Sequence, residues 1–494
     1  MDTMGKLLII FTFSLCLYLL VALLYVFYRY WWIPYRIQLI MNSQGIRGPP
    51  YKFIHGNNKE TAAMRREAFS KPMALTHAIF PRVMPHVYSW INKYGKSYLS
   101  WNGCRPQLVI TDPEIVKEVL RNSEKAFPKG KPTNFFENIL GEGLVTTESE
   151  KWARQRKLAN YAFHGESLKN MIPAVVVSVE TMLEKWKGRE GKEMEVFQEF
   201  KLLTSEVISR TVFSSSYLEG EKIFEMLTKL SLIASRNVFK TRLPIISRFW
   251  KSSDEIELDK LAKMIHDSVM KIVEKREEKV NNKLSIQDLV DECKTFYFAG
   301  QETTNSLLAW TILLLAAHTD WQEKARREVI EIIGKGNPNS EGIAKLKTIP
   351  MIINETLRLY PPATGTIGKV EREVRLGKLI LPTDLELNIR IMALHHDPDL
   401  WGDDVHLFKP ERFAEGISKA TNYNAAAFFP FGLGPRSCVE MSFAITETKI
   451  ALSMILQRYI FTLSSAYVHS PLPLITLKPQ HGIQLLFHSL HDDA

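Results

Sequence analysis

The chain has 494 residues, with 63 Lys and Arg against 54 Asp and Glu, which gives a net charge of +9. A chain of this length buries a large core, and its basic excess fits contact with anionic lipid headgroups or an acidic redox partner. No base-reading motif is present, so nucleic-acid binding is not favoured. The four cysteines, at positions 16, 104, 293 and 438, form no CxxC pair, so a zinc site is not supported.

The first predicted element is an uncharged apolar helix of 22 residues from Leu7 to Tyr28. About 20 apolar residues cross the hydrocarbon core of a bilayer, and a run of this length exceeds the core of a typical signal peptide. Lys6 precedes the run, and the basic residues Arg29, Arg36, Arg47 and Lys52 follow it. The positive-inside rule therefore places the C-terminal bulk in the cytosol. We predict a transmembrane anchor over residues 1–30.

Residues 31–50 are predicted to form an interfacial segment that ends in a proline hinge. Aromatic residues suited to a membrane interface begin it, namely Tyr30, Trp31, Trp32 and Tyr35. The sequence from Gly45 to Pro50 then excludes regular helix. Length alone suggests two or three further domains. The motifs described below, however, are spread from 152 to 438, so we predict one catalytic domain over 51–494.

A long helix is predicted from Ile286 to Ala317, and its second half is apolar on most faces, as in a core helix. Gly300 and the pair Thr303-Thr304 interrupt the pattern, and threonine hydroxyls bond back to carbonyls one turn earlier. We therefore expect a local bulge. It is either a kink needed for packing or the wall of a small-molecule pocket.

Two charged residues, Glu355 and Arg358, lie three apart on another predicted helix and so share a face. Such pairs are usually solvated and contribute little to stability. Here the flanking residues are apolar, and Pro361-Pro362 ends the helix.

Cys438 ends a Gly- and Pro-containing stretch from Phe431, with Arg436 two residues earlier and an apolar helical pattern after it. The positive end of a helix and a nearby cation favour a thiolate, which holds haem iron from its proximal side. The alternative is a buried cysteine that acts as a small apolar residue.

Five short motifs, in order, resemble those of the cytochrome P450 family of haem-thiolate monooxygenases, over the chain from about Gly48 to its end. They are Trp152 with Arg156, Ala299-Gly300-Gln301-Glu302-Thr303-Thr304, Glu355 with Arg358, Pro410-Glu411-Arg412-Phe413, and Phe431-x-x-Gly434-x-Arg436-x-Cys438.

The resemblance implies a mainly α fold with a small β-rich portion and haem b bound through Cys438. It assigns the cofactor-binding residues as Arg436, Trp152, Arg156, Phe431, Gly434, Ala299 and Gly300. Thr303 is expected to bond the iron-bound dioxygen, with Glu302 helping to supply protons. Glu355, Arg358 and Arg412 are expected to form a buried structural network that braces the haem loop.

The implied reaction inserts one oxygen atom from O₂ into a C–H bond of a lipophilic small molecule. Because no flavin or nicotinamide motif is present, a separate membrane-bound NADPH-cytochrome P450 reductase is expected, docked on the Cys438 face. The expected location is the endoplasmic reticulum membrane. Two alternatives stay open, a catalytically impaired haem binder and an oxygen-independent isomerase or dehydratase. The presence of Thr303 favours the monooxygenase over the second.

Two positions depart from the family pattern. Glu440 stands where relatives usually have glycine, so its side chain is expected either to clash with haem or to push the next helix outward. Gly368 stands where relatives commonly place an arginine that binds a haem propionate, and the adjacent Lys369 is a possible substitute. Both departures weaken the expectation of firm haem retention.

The expected substrate pocket is apolar and aromatic, which suits a lipophilic ligand. It draws on residues 127–144, including Phe135 and Phe136, on Phe296-Tyr297-Phe298 and on 363–366. Details such as 151–157 and His395-His396-Asp397-Pro398 resemble a plant branch of the family. That branch includes secologanin synthase and enzymes that hydroxylate brassinosteroids, gibberellins, cytokinins and triterpenoids. A terpenoid or steroid-like substrate is therefore expected, with fatty acids as the alternative. Either His395 or His396 could reach a haem propionate, but the favoured interpretation is a surface or core histidine with its own partners, so neither is assigned to the site.

Overall fold

A computed structural model describes residues 3–130, 140–212, 217–237, 251–274 and 285–490. The aromatic pair Phe135 and Phe136, which the sequence assigns to the substrate pocket, lies outside the described residues.

Helices dominate this part of the chain, as predicted. The α-helices are α1 Thr3–Phe27, α2 Ile33–Ser43, α3 Asn58–Phe69, α4 Phe80–Val83, α5 Pro85–Tyr94, α6 Pro113–Arg121, α7 Ser149–Ala162, α8 Gly165–Trp186, α9 Val196–Val212, α10 Tyr217–Asn237, α11 Ser253–Glu274, α12 Ile286–Ala317, α13 Thr319–Ile332, α14 Ser340–Lys345, α15 Thr348–Leu359, α16 Ile391–His395, α17 Pro398–Trp401, α18 Ile417–Ala420 and α19 Met441–Arg458. A π-helical turn, Tyr28–Trp32, joins α1 to α2, and 3-10 turns form at Pro410–Phe413 and Ala425–Ala427.

The strands form small sheets at the edges of the helical core. They are β1 Ser97–Asn102, β2 Arg105–Ile110, β3 Glu193–Glu195, β4 Thr366–Lys369, β5 Val374–Leu376, β6 Leu379–Leu381, β7 Glu386–Ile389, β8 Tyr459–Leu463, β9 Pro471–Pro473, β10 Leu477–Pro479 and β11 Gln484–Ser489. In the larger sheet the order is β1-β2-β7-β4, with β2 parallel to β7 and the other pairs antiparallel. The others are β3-β11-β8, β9-β10 and β5-β6.

Helix α12 is the centre of the core, and its bounds confirm the predicted helix from Ile286 to Ala317. The Ser285 hydroxyl caps it by accepting from the Asp288 amide at 3.1 Å. From Leu307 to Leu315 every side chain is buried, because α9, α11, α15 and α19 pack around it. The predicted bulge near Thr303 is not present. The hydroxyl does bond back to the Ala299 carbonyl, at 2.7 Å, but the helix runs on without interruption.

The N-terminal helix continues through the π-helical turn as far as Ser43, beyond the predicted span. Within the described ranges it is the one helix long and apolar enough to cross a membrane, by length and composition. Its far end is bonded to the domain. The Tyr51 hydroxyl donates to the Tyr30 carbonyl at 2.6 Å, and the Gln44 amide exchanges two hydrogen bonds with the backbone of Ile380.

Candidate active site

The structure brings Glu355, Arg358 and Arg412 together in a largely buried network. The Nε and Nη2 groups of Arg358 donate to the two Glu355 carboxylate oxygens, at 2.8 and 2.7 Å, and neither of these two side chains is exposed to solvent. Arg412 Nε lies 3.6 Å from the same carboxylate. A buried pair of this kind requires further partners to offset its desolvation, and Arg358 finds them in the carbonyls of His395 and Val405.

His395 connects this network to the loop that carries Cys438. Its carbonyl accepts from Arg358, and its Nε2 accepts from the Phe429 amide at 3.3 Å. Burial, together with Arg358, lowers the pKa of His395 to about 3, so the ring is neutral. His396 is also buried, bonded through Nε2 to the Leu359 carbonyl at 2.9 Å. Both histidines are therefore core residues, the second of the two forms expected from the sequence.

Two glycines shape the loop itself. Gly432 and Gly434 have φ of +77° and +78°, the left-handed region that favours glycine. A Cβ on Gly434 would lie 2.4 Å from the Leu120 carbonyl oxygen, so only glycine fits there. The turn closes when the Cys438 amide donates to the Phe431 carbonyl at 2.7 Å.

Trp152 and Arg156 of helix α7 pack against this loop. The guanidinium of Arg436 lies 4.2 Å from the centre of the Trp152 ring, a cation–π contact, and donates to the Thr147 carbonyl at 2.7 Å. Arg156 donates to the Ser437 carbonyl at 2.5 Å. The four-residue spacing of Trp152 and Arg156 thus places both side chains on the face that meets the loop.

The Cys438 side chain is accessible to water, although many protein atoms surround its thiol. Burial and the Glu440 carboxylate raise the pKa of this thiol to about 12, against the lowering effects of the Glu440 amide and Arg156. The Glu440 amide and Arg156 favour the thiolate, as the sequence indicates, and burial opposes it when no metal cation is bound.

The comparisons with known proteins agree with this geometry. Residues 82–487, most of the chain, match the family model described as Cytochrome P450. The chain belongs to the cytochrome P450 family. Its similarity to three plant relatives spans nearly the full length of each protein.

Among these relatives, Cytochrome P450 CYP749A22 of Panax ginseng is 53% identical, over 97% of this chain and 96% of the relative. The 11-oxo-beta-amyrin 30-oxidase of Glycyrrhiza uralensis is 40% identical, over 93% of this chain and 94% of the relative. Cytochrome P450 734A1 of Arabidopsis thaliana is 38% identical, over 94% of both chains.

The chain is therefore a cytochrome P450 monooxygenase, and its family uses haem b with a cysteine thiolate as axial ligand, O₂ and a reductase. The family and the N-terminal apolar helix together indicate a membrane-anchored enzyme.

The residues around Cys438 fit this cofactor. Arg436 and Arg156 meet at the loop, and Arg436 Nε is buried without a partner among the described residues. The carboxylate nearest to Arg436 is that of Glu148, at 3.9 Å. The P450 cofactor carries two carboxylates, which would neutralise this cluster of positive charge.

Lys129 is a third cation of the cluster, and the sequence did not predict it as a site residue. It forms an isolated antiparallel bridge with Gly368, and its ammonium donates to the Val145 carbonyl at 2.8 Å. Burial and the neighbouring Arg436 lower the pKa of Lys129 to about 8. Lys369, the substitute suggested by the sequence, instead has its ammonium 3.4 Å from Asp384.

Glu440, the other departure from the family pattern, is buried at the start of α19. One carboxylate oxygen has no partner in the described part of the chain, and the other would lie 3.6 Å from a Cβ on Gly300. Burial raises the pKa of Glu440 to about 8. The side chain is thus directed across the interior toward α12, and its backbone amide bonds to the Cys438 sulfur.

The remaining predicted residues lie on α12. Ala299 and Thr303 lie four apart and share a face, whereas Gly300 faces Ile208 of α9 and Glu440. Of the aromatic segment, Tyr297 is buried with its ring edge-on to Phe224, and Phe296 lies beside Phe163.

Proposed function

We propose that Cys438 is the axial ligand of the haem iron. Arg436 and Lys129 would bind the propionates. Trp152 and Arg156 would hold the loop, whose shape depends on Phe431 and Gly434. When bound, haem supplies the activation of O₂. The single observation that carries this assignment is the solvent-accessible Cys438 at the end of a loop packed against Arg436, whose buried Nε has no partner among the described residues.

We assign the opposite wall of the cavity to Ala299, Gly300 and Thr303 of α12. The Thr303 hydroxyl gives its proton to the Ala299 carbonyl, so its oxygen keeps a lone pair for a hydrogen bond from the cavity. Glu302 would replace protons consumed in the reaction. The buried network of Glu355, Arg358 and Arg412 would hold the loop in register through His395.

The substrate that we propose is a terpenoid or steroid-like plant metabolite or hormone, hydroxylated at a C–H bond. One atom of O₂ enters the product, and the other leaves as water after two electrons from NADPH and two protons are consumed. The similarity to an 11-oxo-beta-amyrin 30-oxidase supports this class, as does the aromatic character of Phe296 to Phe298.

We place the enzyme in the endoplasmic reticulum membrane, with the catalytic domain facing the cytosol. The charge balance across the N-terminal helix supports this orientation. The electrons would come from a membrane-bound NADPH-cytochrome P450 reductase. A groove of about 360 Å³ beside the Cys438 loop, lined in part by Met441, Ile445 and Lys449, is its proposed dock.

The test is a spectral titration of the purified haem protein with panels of terpenoids, steroids and fatty acids. A ligand that displaces iron-bound water changes the spin state of the haem. Saturable changes with triterpenoids or steroids, followed by hydroxylated product with reductase and NADPH, would support the proposal. Changes confined to fatty acids would contradict the substrate class.

A second candidate, a haem binder with impaired catalysis, is favoured by one observation, the buried unpaired carboxylate of Glu440. Full haem content with no NADPH oxidation above that of reductase alone would support it. Restoration of that oxidation by Glu440→Gly would identify the cause.

A further inference from the structure

The carboxylate of Glu302 is held by the C-terminal hairpin β9–β10 and not by its neighbour Thr303. Lys478 Nζ lies 2.5 Å from Glu302 Oε2, and the Thr476 hydroxyl donates to the same oxygen at 3.3 Å. The Glu302 side chain is 4% exposed and that of Lys478 is 15% exposed. Because the Thr303 hydroxyl donates to the Ala299 carbonyl, the two adjacent side chains have separate partners.

The hairpin cannot easily move away from Glu302, since the residue between Thr476 and Lys478 is fixed to the core. The Leu477 carbonyl accepts from the Ser306 hydroxyl at 2.6 Å and from the Trp310 indole at 3.1 Å, both on α12. The Leu477 amide donates to the Pro362 carbonyl at 3.0 Å. Ser306 and Trp310, one and two turns beyond Glu302 on α12, therefore fix the position of the Lys478 ammonium.

A second lysine links this pair to the surface. Lys201 of α9 donates to the Thr228 hydroxyl of α10 at 2.9 Å, and it interacts electrostatically with Glu302, Lys478 and Glu225. Burial lowers its pKa. Glu225 is exposed on α10. A series of ionisable groups thus leads from solvent, through Lys201, to the buried pair.

We propose that Lys478 is a positioning residue that keeps Glu302 ionised and turned toward the hairpin, and that protons reach this carboxylate from the side of Lys201. This inference rests on the proposed role of Glu302 as a proton donor. The carboxylate takes one proton from water beside Lys201 and releases one on the cavity side, so its own charge is unchanged over a cycle. The ion pair sets the rate because it must open before Glu302 accepts a proton.

The first test concerns protonation alone and needs no turnover. In Lys478→Met the buried carboxylate loses its counter-charge and is expected to take up a proton at pH 7. Infrared difference spectra of the ferric protein, Lys478→Met minus wild type, should then show one additional protonated carboxyl band. That additional band should be absent when Lys478→Arg or the double variant Lys478→Met/Glu302→Gln is compared with wild type. The double variant removes both charges and so leaves no unpaired charge in the interior. It is therefore expected to fold even if Lys478→Met folds poorly.

The second test measures NADPH oxidation and hydrogen peroxide release by the substrate-free enzyme with reductase. Peroxide takes one NADPH for each O₂, whereas water takes two, so their ratio reports how protons are delivered. Lys478→Met is expected to change the rate of NADPH oxidation by about tenfold or more. It should also raise the peroxide fraction and alter the solvent isotope effect, with Lys478→Arg near wild type. Lys169→Met, which removes an exposed pair with Glu166, is the matched control.

The outcomes separate the two proposals. No carboxyl band in Lys478→Met beyond those of wild type, or a wild-type rate, peroxide fraction and isotope effect in that variant, would overturn the role of Lys478. If wild type itself oxidises no NADPH above reductase alone, the proposed function fails. The infrared result still decides whether Lys478 controls the ionisation of Glu302.

Discussion

Lys129 and Gly368 pair across an isolated antiparallel bridge beside the edge strand β4. Residues opposite each other in such a bridge point their side chains to the same face, about 5 Å apart. The Lys129 amine therefore stands beside the place that an arginine side chain at position 368 would occupy. We infer that Lys129 compensates for the family arginine that this chain lacks.

This relationship predicts a reciprocal pair of variants. A charge-assisted hydrogen bond contributes about 1.5–3 kcal/mol, so Lys129→Met should speed haem loss roughly tenfold to a hundredfold. Gly368→Arg should restore retention in that background, because a Cβ at 368 meets nothing nearer than the Phe127 carbonyl oxygen at 3.4 Å. Haem transfer to apomyoglobin measures the rate.

Lys369→Met is the matched control. Because Lys369 pairs with Asp384, this substitution is expected to leave the rate of haem loss unchanged. Equal loss rates in wild type and Lys129→Met, or no restoration by Gly368→Arg, would contradict the compensation.

Arg358→Ala is expected to abolish stable haem incorporation. The change leaves the fully buried Glu355 without its bidentate partner, at a cost of about 3–5 kcal/mol. It also frees the His395 carbonyl, and with it the link to Phe429. The measurement is the ratio of haem to protein after purification. Arg358→Lys keeps the charge but loses the bidentate bond, so its ratio of haem to protein should lie between those of wild type and Arg358→Ala. Full haem content in Arg358→Ala would refute the assignment.

Glu292 of α12 makes the stability of the folded protein depend on pH. Burial, with like charges at Asp288 and Asp291, raises its pKa from 4.5 to about 7, against the opposing effects of the Leu144 amide and Lys151. Between these values the folded chain binds the proton more tightly than the unfolded chain. Stability from this group is therefore lost as pH rises from about 4.5 to 7, by about 3 kcal/mol in total.

Glu292→Gln removes this titration. Relative to wild type, the variant should gain stability at pH 8 by about 2.5 kcal/mol more than at pH 5. Thermal unfolding at both pH values measures the difference. An equal effect of the substitution at pH 5 and pH 8 would show that Glu292 does not titrate as described.

Thr303→Ala should leave the fold intact, because its hydroxyl bonds only within its own helix, to the Ala299 carbonyl. Without the hydroxyl, proton delivery in the cavity is expected to fail. NADPH oxidation should then continue while the fraction recovered as hydrogen peroxide rises several-fold. Thr303→Ser should restore the wild-type ratio. An unchanged ratio in Thr303→Ala would remove this residue from oxygen activation.

The sequence predicted those parts of the site whose residues are close together in the chain. The bounds of α12 follow from its apolar pattern, and the shared face of Glu355 and Arg358 follows from helical spacing. The burial of that pair and the place of Trp152 and Arg156 near the cofactor were implied by the family resemblance. Spacing fixes which side chains share a face, and these faces are buried in the structure.

Contacts between distant segments could not be found in the same way. Lys129 reaches position 368 through a single bridge, and Lys478 reaches Glu302 because Leu477 is bonded to α12. No local pattern marks either lysine. The effect of burial on the pKa of Cys438 also has no local pattern, because burial depends on the whole fold.

The most direct test of the central claim is the carbon monoxide difference spectrum of the reduced full-length protein. We expect the thiolate-type band in wild type and its loss in Cys438→Ser, with Glu440→Gly as a comparison. Absence of the band from wild type would contradict the account. Its appearance only in Glu440→Gly would show that the Glu440 side chain prevents the iron–sulfur bond.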